Sequence, residues 1–308
     1  MNPLRGIALK ICSVAVFMAM ATCIKAAAAN GVPPGQAVFF RSFFAIPVIV
    51  VWLFLQANLS QGLKTQNPMG HVWRGLVGTA AMACGFTALG LLPLPEVTAI
   101  SYAAPLLIVI FAAMFLGEQV RMFRMSAVLM GLVGVVIVLA PRMSVTSIED
   151  TTGWETVGAL VALLGAVQMA LAQVFIRKLV QTETTAAIVF YFSVTASLLS
   201  LLTIPFGWVW PGFWSILLLV AAGLLGGFGQ ILLTSSYRHA PTSVVAPFEY
   251  TSLLLAIAIG YALFDEVPTL QTLAGGGLVV AAGLFIIWRE RKLGLERGRA
   301  RPAMTPQG

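Results

Sequence analysis

The sequence predicts an all-α polytopic membrane protein: ten transmembrane helices arranged as two inverted five-helix repeats. Three observations predict it. The 308 residues are 59% hydrophobic and only 9% charged, whereas soluble globular chains run at about 45–50% apolar with glycine counted and about 25% charged. Apolar runs of the length a spanning helix needs, about 20 residues, recur along almost the whole chain. One stretch of the first half also returns in the second. With a mean hydropathy of +0.94 and so few charges, an ordinary soluble enzyme is excluded.

Taken in order, apolar spans fall near residues 6–26, 35–56, 73–92, 96–116, 123–140, 155–176, 186–206, 212–235, 242–264 and 270–288. Span one follows Arg5 and ends on Ala26–Ala29, which imitates a signal peptide with a small-residue cleavage site. Lys10 and Lys25 interrupt that pattern, and removing the segment leaves nine spans, so the span is expected to stay. Span two carries Arg41. Span four opens after Leu94 and Pro95 with Glu96 in its first turn, where a helix N-terminus favours a carboxylate. Span six carries Gln168 and Gln173, span seven Tyr191, span eight Gln230 and span nine Glu249. Most connections are short, so consecutive spans are antiparallel neighbours. The organisation expected is a first repeat over 1–140, a periplasmic linker over 141–154, a second repeat over 155–288 and a basic cytoplasmic tail over 289–308.

Orientation follows from Lys and Arg in the connections. Arg5, Lys64, Arg74, Arg121, Arg124, Arg177, Lys178, Arg238 and the tail (Arg289, Arg291, Lys292, Arg297, Arg299, Arg301) fall on one side, against Arg142 alone among the other loops. Both termini are therefore expected in the cytoplasm. The net charge of +7 is scattered apart from the tail, which argues against a nucleic-acid partner. Cys12, Cys23 and Cys84 fall inside apolar runs and read as small buried hydrophobes. They supply neither a disulfide framework nor metal spacing.

The repeat is visible without gaps. Residues 93–118 read PLPEVTAISYAAPLLIVIFAAMFLGE and residues 241–266 read PTSVVAPFEYTSLLLAIAIGYALFDE, a register of 148 that aligns Pro93 with Pro241, Tyr102 with Tyr250 and Glu118 with Glu266. A glycine-rich span follows each block. Five spans per half is an odd number, so the second half crosses in the opposite sense, as in secondary transporters whose halves rock about a midplane site.

On these blocks, and on FFRSFFAIPVIV at 39–50, the chain resembles the EamA-type ten-helix members of the drug/metabolite transporter (DMT) superfamily over 5–140 and 153–289. The Arg41 segment and the Gly117-Glu118 end of span four match the family's pattern. The second copy departs from it with Asp265 where glycine is usual, which weakens a gating role for Glu266. The resemblance implies spans one to four and six to nine around a central cavity, with five and ten to one side, and transport without ATP hydrolysis. It also implies a multi-pass protein of the bacterial inner membrane.

Ionisable groups inside hydrocarbon are costly and tend to mark pathways. Glu249 lies about eight residues into span nine, roughly 12 Å at 1.5 Å per residue. No basic residue is near it in sequence, so its partner must come from another helix or from water. It reads as a proton or cation site, or as an acid satisfied by a neighbouring helix. Arg41 suits a substrate carboxylate or phosphate through its planar fork, or else clamps helices by pairing with Glu96 or with free backbone carbonyls. Lys25 shares a face with Thr22 and is explained by snorkelling to the outer interface, with Lys10 doing the same inward.

Tyr102 and Tyr250 occupy equivalent depths beside Pro105 and Pro247. A proline-freed carbonyl is tolerated in a membrane where the helix is buried or borders a cavity, so both tyrosines are candidate ligand platforms as well as packing residues. Gln168, Gln173, Gln230 and Tyr191 either face the cavity or bond across helices. Glu118 and Glu266 end spans and read as structural. His71 and His239 lie at loop edges. Trp208, Trp210, Trp214 and Trp288 read as interfacial anchors. Gly223-xxx-Gly227 and Gly277-xxx-Ala281 allow close helix contact, within the chain or in a homodimer.

No phosphate loop ending in Lys-Ser or Lys-Thr and no HExxH motif occurs, so no ATP-driven pump, catalytic residue, cofactor or metal is expected. The reading is a secondary transporter of a small organic metabolite working by alternating access, with proton coupling through Glu249 as an option. Its expected partners are that solute and the lipid bilayer. A membrane enzyme acting on lipid lacks its polar cluster. The alternative of another class is a membrane subunit or scaffold without transport of its own. The resemblance covers exporters of amino acids and drugs as well as importers. The PLPEVTAISYAAPL block looks most like the uptake-type branch, which implies a vitamin- or cofactor-like solute such as riboflavin or S-adenosylmethionine.

Overall fold

Among the described residues six helices are long and apolar enough to cross a bilayer, and four shorter apolar helices complete the expected ten. The computed structural model describes residues 3–55, 62–116, 122–143, 152–179, 182–239 and 246–299, where no strand occurs. The chain is a multi-pass, all-helical membrane protein. Glu118, Arg121 and most of the linker expected over 141–154 lie outside the described residues.

Span one is α1 (Pro3–Ala29). Span two is broken into α2 (Pro34–Phe43) and α3 (Ala45–Leu55). Pro47 causes the break, because its ring collides with the carbonyl four residues back, on Phe43. Span three is α4 (Pro68–Leu91), started by Pro68 in its first turn and by the Asn67 side chain, which accepts from Gly70 N. Span four is α5 (Leu94–Ser101) and α6 (Ala103–Leu116), parted at Tyr102 because Pro105 disturbs the Ser101 carbonyl. Span five is α7 (Met122–Met143), span six α8 (Thr152–Leu179) and span seven α9 (Thr185–Leu201), the last capped by the Thr184 hydroxyl. Span eight is α10 (Phe213–His239). Span nine opens as a short 3-10 segment (Ala246–Tyr250) and continues as α11 (Thr251–Phe264); span ten is α12 (Leu270–Arg299).

Helix pairing has a two-fold logic. Spans one and eight pack along their length, as do spans three and six, and five with ten; spans two with seven and four with nine also touch. Exchanging the first five spans for the last five maps this pairing onto itself. Spans five and ten cross where Gly134 and Gly275 abut: a Cβ on Gly134 would lie 2.7 Å from the Gly275 carbonyl oxygen. Around the outside, large apolar residues such as Phe54, Leu198, Leu254 and Leu263 are exposed, as lipid-facing positions are.

Several sequence expectations need correcting. Span three begins at Pro68, not near residue 73, and this buries His71 and Arg74 inside the helix rather than leaving them to a connection. Span seven stops at Leu201, followed by a 3-10 turn over Ile204–Phe206. The helix of span ten runs on into the basic tail as far as Arg299. Cys12 is exposed, not buried. Gly223 and Gly227 face α2 and α3, so that run serves packing within the chain: a Cβ on Gly223 would lie 2.8 Å from the Phe40 oxygen, and one on Gly227 3.2 Å from the Ala45 oxygen.

Candidate functional site

The helix breaks of spans four and nine bring the repeat-related tyrosines together. Tyr102 and Tyr250 mark the two junctions with nearly the same backbone, φ and ψ of −68° and −6° against −67° and −11°. Their rings meet edge to face at 5.2 Å, a favoured aromatic geometry. The Tyr102 hydroxyl lies 2.5 Å from the Ser252 hydroxyl, which in turn donates to the Glu249 carbonyl at 2.7 Å. Tyr250 packs against span ten at Gly283, where any side chain would collide with its ring.

Beside this pair Glu249 makes an ion pair with Lys10 of α1. The partner that Glu249 lacks in sequence thus comes from another helix. Lys10 does not snorkel: it is buried, whereas the Glu249 side chain is 49% exposed. The lysine is held by the protein and the carboxylate still has an open side, an arrangement in which another cation can compete for the same oxygens.

A second ion pair stands at the far end of the same two spans. Lys25 Nζ lies 2.8 Å from Glu266, so Lys25 is also no simple snorkelling residue. It donates besides to the carbonyls of Leu89 at 3.2 Å and Leu92 at 2.7 Å, and faces the Phe264 ring. Asp265 holds a left-handed backbone with φ of 54°, a conformation glycine adopts freely and aspartate tolerates. That turn lets Glu266 N donate to the Gly260 oxygen at 2.9 Å and aims its carboxylate at Lys25 and at Leu94 N. With aspartate at this turn Glu266 is held by Lys25 and by Leu94 N. Lys10 and Lys25 are fifteen residues apart, about 22 Å along α1. Both pair with span nine in the same order, as two parallel helices must.

Of the other candidates, Gln168 and Gln230 are half-buried. Tyr191 is elsewhere: it donates to the Leu63 carbonyl at 3.0 Å and lies against His71 with the rings tilted by 45° and their centres 4.8 Å apart. There Glu183 accepts from Thr65, Gln66 N and Asn67 N at 2.7–3.0 Å. Arg41 makes no ion pair with Glu96 or any other carboxylate among the described residues; its guanidinium faces the Phe192 ring at 5.8 Å. Sequence reasoning missed Lys10, Ser252 and Arg74 as members of polar clusters. Lys10 and Glu249 are 239 positions apart, so only the fold joins them.

Comparisons with known proteins follow the same architecture. The sequence profile of the EamA-like transporter family matches residues 4–140 and 156–288. The chain is 28% identical to an S-adenosylmethionine uptake transporter of Rickettsia bellii over 83% of this chain and 84% of that one. It is 32% identical to the pseudopaline exporter CntI of Pseudomonas aeruginosa over 90% of this chain and 94% of that one. A crystal structure of a protein 21% identical in sequence shares the fold, with a TM-score of 0.64 over 93% of this chain and 98% of that one.

Proposed function

The chain belongs to the EamA-like transporter family, and from that premise we propose that it carries a small amino-acid-derived solute across the bacterial inner membrane, S-adenosylmethionine being the first candidate. The halves 1–140 and 155–288 act as the two rocking bodies of an alternating-access cycle. Both termini are cytoplasmic, on the distribution of Lys and Arg between the loops. With that topology the Lys25–Glu266 pair lies at the outer end and the Lys10–Glu249 pair toward the inner one.

The observation that carries the reading is the Lys10–Glu249 pair beside the tyrosines at the two helix breaks. A cationic group of the solute, or a proton, neutralises Glu249 and weakens its hold on Lys10 across the contact between spans one and nine. Occupancy of one carboxylate is thereby coupled to how span one sits against span nine. The sulfonium and amine of S-adenosylmethionine suit that carboxylate and its adenine suits an aromatic neighbour. The uptake relative supports this solute.

The test is counterflow of labelled S-adenosylmethionine into liposomes holding the full chain, with and without a pH gradient. Saturable flux that falls about tenfold or more in Glu249→Gln, a loss on the scale of a charge-assisted contact, supports the reading. No flux of this solute or of a panel of amino-acid derivatives overturns it. Export is the second reading, favoured by the relative of Pseudomonas aeruginosa at 32% identity. Flux measured from the inner face alone would select it.

A further inference from the structure

Spans two, three and seven hold a polar cluster that the scheme above does not use. Arg41 of α2 and Arg74 of α4 are 7% and 8% exposed. Both guanidiniums sit on one aromatic ring, with Cζ 5.8 Å and 4.1 Å from the centre of Phe192 on α9. Cation–π contact explains part of their tolerance of burial, but it leaves the N–H groups unanswered. Arg41 Nε, Arg74 Nε and Arg74 Nη1 are buried with no hydrogen-bond partner among the described residues. Neither side chain makes an ion pair there. The next residues along α2 and α9, Ser42 and Ser193, likewise carry buried hydroxyls with no partner.

Glycines on α4 itself and on α10 make room for these groups. A side chain at Gly78 would overlap Arg74 Nη1 and come within 2.9 Å of the Phe192 ring; one at Gly226 of α10 would lie 3.0 Å from Arg41 Nε. Two like charges held together in hydrocarbon, without a counter-charge, are costly. An acceptor that fits a guanidinium fork removes that cost, and carboxylate and phosphate oxygens fit it in bidentate fashion.

We propose that Arg41 and Arg74 form an oxyanion subsite, which takes a carboxylate or phosphate group of the transported solute. The subsite deepens the transport reading, since it supplies the anionic counterpart of Glu249, but its test reads binding and not flux. Thermal unfolding of the full chain in detergent is followed at fixed ionic strength with added acetate, inorganic phosphate or chloride. Acetate or phosphate raises the unfolding temperature saturably and chloride does not; whichever acts names the oxyanion. Arg41→Gln and Arg74→Gln each weaken that apparent affinity about tenfold or more, as loss of a charge-assisted fork should. Without a probe both variants unfold no lower than the parent, because each removes a repulsion.

An equal response to chloride overturns the proposal, as does an affinity unmoved in both variants. Variants that unfold far below the parent with their oxyanion affinity intact also overturn it, since that is the behaviour of a structural clamp. Should the glutamine variants not fold, Arg41→Lys and Arg74→Lys keep the charge and lose the fork, and the same drop in affinity is required of them. A chain that binds the oxyanion but carries no solute fails the transport reading alone. Flux with an affinity blind to both arginines fails this proposal alone.

Discussion

Lys25 and Glu266 stand 2.8 Å apart, and four spans meet at this one ion pair. The ammonium also holds the carbonyls of Leu89 and Leu92 at the end of span three, and the carboxylate also accepts from Leu94 N at the start of span four. Breaking a buried ion pair by removing one partner costs about 3–5 kcal/mol, mostly through the charge left behind. Both side chains are mainly buried, so Lys25→Met should destabilise the chain toward the low end of that range. Lys25→Met with Glu266→Gln removes both charges and should recover much of the loss. Thermal unfolding in detergent checks it; a double variant no better than the single one means that the pair is not coupled.

Tyr102 yields a graded expectation. Its hydroxyl contacts Ser252, but Ser252 keeps its own bond to the Glu249 carbonyl when that contact is removed. Tyr102→Phe therefore costs no more than an ordinary hydrogen bond, about 0.5–1.5 kcal/mol. Tyr102→Ala also loses the ring packed on Tyr250 and opens a cavity, at about 3–5 kcal/mol for a large aromatic. Chemical denaturation of the two variants should separate them clearly. Equal losses would mean that the hydroxyl, not the ring, holds the break together.

The two tyrosines were legible in the sequence because the 148-residue register pairs them, and the structure puts that same pair in contact. Other partners were not, for reasons that differ. Lys10 and Lys25 near the ends of an apolar run are cheaply explained by snorkelling, and only the fold supplies the carboxylates that hold them inside. Arg74 was misplaced because hydropathy starts span three near Trp73, although Asn67 before Pro68 is a helix-start signal five residues earlier. Asp265 stands where the resemblance expects glycine, and its left-handed backbone is one that aspartate tolerates.

Glycines of the crossing helices differ in what a methyl group would meet. At Gly134 the new Cβ would lie 2.7 Å from the Gly275 oxygen and 3.1 Å from Val279 N, backbone atoms that can yield only if spans five and ten part. At Gly277 nothing stands within 4 Å. Gly134→Ala should therefore destabilise by about 1–3 kcal/mol, the usual cost of overpacking. Gly277→Ala should be neutral or slightly stabilising, since alanine favours a helix over glycine by up to about 1 kcal/mol. Unfolding temperatures of the two variants measured side by side decide it; matching shifts would sink the packing argument.

Glu183, between spans six and seven, is a carboxylate whose protonation should be felt in stability. Burial alone would raise its pKa, but the N–H groups of Gln66 and Asn67, the Thr65 hydroxyl and His71 outweigh it and hold the carboxyl below its ordinary value of 4.5. These bonds fasten the residues just before α4 to the turn before α9. A carboxylate whose folded pKa is depressed stabilises the fold fully above its unfolded pKa and loses that contribution as pH falls through the folded value. The parent should thus exceed Glu183→Gln in unfolding temperature at neutral pH, and the gap should narrow below about pH 4.5, where the unfolded carboxyl begins to take up its proton. Unfolding scans of both proteins between neutral pH and pH 3 test the sign. A gap that stays constant, or widens in acid, would show that the carboxylate's charge contributes nothing to this junction.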